Sequence, residues 1–188
     1  MDIVRSIKGR SPLDTLYDFV QLREIMIDDS GWGDLVLGVV VGALDRDSGR
    51  YMERRIPVRY FQSPLFEQKK YLDKVVEIVD EICRVMKPDE KTVFKVCSGY
   101  VLSAAVGFLQ SRGLRVAETR VTGELQEKVE RGFRNWCEEI GIPAEKRNFR
   151  ALLDWVAEDL EFREKFVKTG WKSWQNKWRA VALTKRQG

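Results

Sequence analysis

Arg23-Glu-Ile-Met-Ile-Asp-Asp-Ser-Gly-Trp-Gly-Asp34 runs directly into Leu35-Val-Leu-Gly-Val-Val-Val-Gly-Ala-Leu44. A short apolar strand, Glu24 to Ile27, ends in adjacent carboxylates, a serine and two glycines before a longer apolar strand begins. Carboxylates at a strand end form either a metal platform or a solvated turn. In the turn, Asp28, Asp29 and Ser30 would bond local amides while Gly31 and Gly33 supply unusual dihedrals. Leu35 to Leu44 is apolar on both faces, which predicts a strand inside a sheet covered on both sides.

Working outward, Asp45-Arg-Asp-Ser-Gly-Arg50 has hairpin chemistry, and Tyr51 to Phe61 alternates as a third strand that Pro57 places near an edge. Gln62-Ser-Pro64 opens a helix whose apolar period lasts to Lys87-Pro88. Thr92 to Cys97 is a fourth strand, Ser98 to Gln110 a helix closed by Gly113, and Leu114 to Val121 a fifth strand. Thr122-Gly-Glu124 starts a long helix to about Ile140. Beyond Gly141-Ile-Pro143, one or two helices follow from Asn148 to Trp178. Upstream, Ser11-Pro12 caps a short amphipathic helix. The expected organisation is a helical segment over 1–22, an α/β domain over 23–147 with a five-stranded mixed sheet and helices on both faces, and a helical C-terminal extension over 148–188.

Composition removes several function classes. A chain of 188 residues buries about 70% of its unfolded surface without disulfides. It has three cysteines and no histidine, which excludes His-based zinc sites, Ser-His-Asp triads and Cys-His dyads. Cys83, Cys97 and Cys137 read as buried thiols of a reducing compartment. No apolar run approaches the ~18 residues of a membrane span, and the first residues lack a signal-peptide pattern, so the expectation is a cytoplasmic protein with no membrane partner. The abundance of Glu, Lys and Arg hints at a thermophilic source.

The succession of three meandering strands, helix, strand, helix, strand, helix resembles the ribonuclease H-like fold over roughly residues 23 to 140. That resemblance implies carboxylates that hold two Mg²⁺ (or Mn²⁺) ions for phosphodiester chemistry in a nuclease or related enzyme. Asp28 and Asp29 match the first-strand acid, and strand alternation lets only one of them face a cleft. Glu67 matches an acid near the first helix, and is equally a carboxylate complementing the helix dipole. Glu124 or Glu127 matches the acid of the last helix, and is equally part of a capping arrangement behind Thr122; Glu118 is a further alternative. At the fourth strand end the pattern departs from the family: Cys97-Ser98-Gly99 stands where an acid is common, which leaves room for a folded but inactive member.

Net charge is +4 and pI 9.0, and the seven lysines and arginines from Lys165 onward meet no acid. In that segment Trp171, Trp174 and Trp178 form one helical stripe interleaved with Lys172, Lys177 and Arg179. Cations tracking phosphates beside stacking aromatics would bind nucleic acid; the same stripe can simply bury itself against the domain. Three functions therefore stand: a Mg²⁺-dependent nuclease, a non-catalytic nucleic-acid-binding or assembly domain, and a small-molecule binder with an anion site at the Cys97-Ser98-Gly99 amides.

Overall fold

A computed structural model describes residues 22–143 and 148–185. The helix expected over 11–22 lies, but for Leu22, outside the described residues. Strands β1 (Arg23–Ser30), β2 (Val39–Asp45) and β3 (Tyr51–Ile56) form the meander. Helix α1 (Lys70–Met86), β4 (Thr92–Cys97), α2 (Ser103–Ser111), β5 (Arg115–Thr119) and α3 (Glu124–Glu139) follow. The C-terminal part is α4 (Phe149–Glu158), α5 (Leu160–Arg163), a wide helical turn over Trp174–Trp178 and α6 (Arg179–Lys185).

The five strands make one sheet in the order β3-β2-β1-β4-β5. β1, at its centre, pairs antiparallel with β2 and parallel with β4, and β5 lies parallel to β4. The fold is thus a ribonuclease H-like α/β arrangement, with helices on both faces of a mixed sheet. Side chains alternate across each strand, so Ile25, Ile27, Val41, Phe94 and Val96 bury against α1 and α2. On the opposite face, Val40 and Leu44 bury against Leu125, Val129 and Phe133 of α3, in one core with Leu152, Trp155, Val156 and Trp174 of the C-terminal helices.

Several boundaries differ from expectation for local reasons. β1 continues through the aspartates to Ser30: Asp28 and Asp29 are ladder residues opposite Gly42 and Val41, not a turn. Leu35 to Leu37 is buried but outside β2, because the C-terminal chain pairs with it. Leu37 N donates to Phe166 O at 2.7 Å, and Lys168 N donates to Leu35 O at 3.0 Å. β3 stops before Pro57, which has no amide to donate to a ladder, and the chain turns over Val58–Phe61. Residues 64–69 coil in turns, with Phe66 stacked on Tyr71, so α1 begins at Lys70.

Candidate functional site

Alternation along β1 sends its two aspartates to opposite faces. Asp28 shares the α3 side with Met26, and Asp29 shares the α1 side with Ile27. Asp28 is only 4% exposed. Its carboxylate accepts from the thiol of Cys97, at the end of neighbouring β4, and from the Asp29 backbone amide. Burial lifts its pKa above the ordinary carboxylate range, and the Glu130 carboxylate on α3 adds to the rise. The Cys97 thiol is itself pushed up by burial, reinforced by both aspartates, so it stays a protonated donor.

Asp29 rests against the backbone at Gly99, where a Cβ would stand 3.3 Å from its Oδ1. Burial and the Asp28 charge push its pKa up to about 7, with Lys168 opposing. Lys168 is fully buried and donates from Nζ to three backbone carbonyls of the loop after β1: Gly31, Trp32 at 3.4 Å and Asp34 at 2.7 Å. Burial pushes its pKa down to about 7 against the pull of Asp34 and Asp29. The loop is seated from the other side by Phe133. Gly31 has φ +100, and a Cβ there would lie 2.3 Å from the Phe133 ring, so only glycine fits.

The acids expected from the sequence are not all gathered. Glu124 borders a hollow with Met26 and Lys95 near the start of α3, and lies 3.5 Å from Lys128. Glu127 is exposed, as is Glu118 on the edge strand β5. Glu67 is exposed in the turns before α1, and its neighbour Phe66 packs in the core of the α1 face, opposite to Asp28. The α3 acid that acts on Asp28 is Glu130, which also accepts from Gln126 one turn earlier at 3.0 Å.

Among the described residues, no group of three or more His, Cys, Asp or Glu side chains could hold a metal ion. Asp28 and Glu130 offer hard carboxylate oxygens, the donor type that suits Mg²⁺. A protonated thiol at Cys97 does not suit that ion, so this donor set does not fit two. The other expected sites also acquire partners. The Ser98 amide donates to Thr119 O at 3.0 Å and the Gly99 amide to Cys97 O at 2.8 Å, which leaves neither for an anion. Trp174 is 1% exposed, with Nε1 donating to Glu164. Trp178 packs 4.8 Å from Phe149, and Trp171 is half-buried under the Lys168 ammonium. Lys172 and Lys177 remain exposed, while Arg179 pairs with Glu164 at 2.7 Å.

Fold and site together define an α/β domain with a five-stranded mixed sheet, a buried carboxylate on its central strand and a second acid, on α3, whose charge acts on it. No protein-family model matches the sequence. No curated protein matches it either. Among solved structures, the catalytic core domain of BIV integrase is similar, with 11% identity and a TM-score of 0.36 over 86% of this chain and 97% of that one. No helix among the described residues is long and apolar enough to cross a membrane.

Proposed function

We propose that the protein processes phosphodiesters of nucleic acid with a divalent cation held by Asp28 and Glu130. The observation that carries this reading is the buried Asp28 carboxylate on the central strand, on which the charge of Glu130 acts from α3, so that a cation held there would offset like charge. When bound, Mg²⁺ or Mn²⁺ would polarise a phosphoryl oxygen of the substrate. The chain's own residues fix the geometry. The Cys97 thiol and the Asp29 amide orient Asp28, Gln126 orients Glu130, and Lys168 with Phe133 immobilises the following loop.

A second reading is favoured by Cys97. A thiol where the family commonly has an acid makes an inactive member that binds nucleic acid without cutting it. Incubating labelled single- and double-stranded DNA and RNA with Mg²⁺ or Mn²⁺ separates the two. Cleavage by the wild type that disappears in Asp28→Asn and Glu130→Gln supports the first reading. Salt-sensitive binding without cleavage supports the second. Neither cleavage nor binding refutes both.

A further inference from the structure

We infer that Tyr100, backed by Trp32, is a stacking platform for an unpaired base of single-stranded nucleic acid, an inference that rests on the nucleic-acid reading above. Tyr100 is 50% exposed, yet it is not a loose surface ring. Its ring centroid lies 5.9 Å from Trp32 and 6.5 Å from Tyr71. Tyr71 is buried and stacks 5.5 Å from both Phe61 and Phe66. One ring of a five-ring cluster is thus held rigid with much of its surface open, which is how base-stacking aromatics are presented.

Its position ties it to the carboxylates. Tyr100 directly follows Gly99, the residue against which Asp29 rests, and Trp32 comes three residues after Asp29. The platform therefore borders the carboxyl ends of β1 and β4, the end of an open α/β sheet where ligands bind. Lys69 stands at the Tyr100 hydroxyl and supplies a cation for the phosphate of a stacked nucleotide.

The other exposed large apolar side chains of the described residues do not compete. Phe162 already carries the Lys165 ammonium 3.5 Å from its centroid, and Leu22 and Leu183 are aliphatic.

Fluorescence anisotropy of a labelled 12-nucleotide oligothymidylate, with the full chain and Ca²⁺ to hold the strand, tests the platform. Tyr100→Ala should weaken binding between ~5- and ~100-fold, while Tyr100→Phe binds as the wild type does. A strand made wholly abasic should lose the difference between wild type and Tyr100→Ala. Equal binding by Tyr100→Ala and wild type, or equal weakening by Tyr100→Phe and Tyr100→Ala, overturns the platform. If Asp28-dependent cleavage is seen while Tyr100→Ala binds normally, the platform alone is refuted. If Tyr100-dependent binding is seen without such cleavage, the platform stands and the catalytic reading is refuted.

Discussion

The Nζ of Lys168 lies 2.7 Å from the backbone carbonyl of Asp34, across 134 residues of sequence. With the Gly31 and Trp32 carbonyls it forms a cage around a buried ammonium, and this cage fastens the C-terminal chain to the loop that follows the β1 aspartates. Lys168→Met keeps the aliphatic stem and leaves three carbonyls without their donor. It should lower unfolding free energy in urea by about 2–4 kcal/mol.

The same group and Asp29 make stability depend on pH in opposite directions. Asp29 is raised to about 7 from an unfolded value of about 3.9, so its favourable contribution is complete below the latter and is lost as pH rises through about 7. Lys168 is lowered to about 7 from about 10.4. Its contribution is complete above the latter and is lost as pH falls through about 7. Urea titrations should therefore show Asp29→Asn gaining on the wild type between about pH 4 and 8, and Lys168→Met falling further behind between about pH 7 and 10. Parallel pH profiles for wild type and both variants would contradict these assignments.

Trp174 belongs to the core shared by α3 and the C-terminal helices. Trp174→Ala should destabilise by about 3–5 kcal/mol, whereas Lys172→Glu and Lys177→Glu should change stability by less than about 0.5 kcal/mol. Thermal melts of the three variants separate a packed stripe from an exposed one.

Cys97→Asp places a carboxylate at the end of β4, next to Asp28. Mn²⁺ affinity should rise about tenfold or more, and the metal-free protein should lose about 1–2 kcal/mol to added like-charge repulsion. Isothermal titration and urea unfolding on one preparation read both effects.

The sheet was legible because its signals are local. The apolar runs, the Ser48-Gly49 turn, the Gly113 helix end and the Thr122-Gly123 helix start each act within a few residues. What escaped depends on distant partners. Leu35 to Leu37 reads as strand, but pairs with Phe166 to Lys168 instead of β3. Asp28 and Asp29 read as a strand end, and the ladder to Val41 and Gly42 carries β1 past them. Glu130 carries no local signal, since Glu124 and Glu127 are the acids of the first turn of α3 and only the tertiary fold brings the Glu130 charge to bear on Asp28. Lys168 read as one cation of a basic segment, and only the tertiary fold surrounds it with carbonyls.

Electron paramagnetic resonance of Mn²⁺ titrated into the full chain tests the Asp28–Glu130 centre most directly. One bound ion per chain is expected, lost in Asp28→Asn and in Glu130→Gln and kept in Glu67→Gln and Glu124→Gln. Absence of binding by the wild type, or binding abolished by Glu67→Gln or Glu124→Gln but untouched by Glu130→Gln, would contradict it.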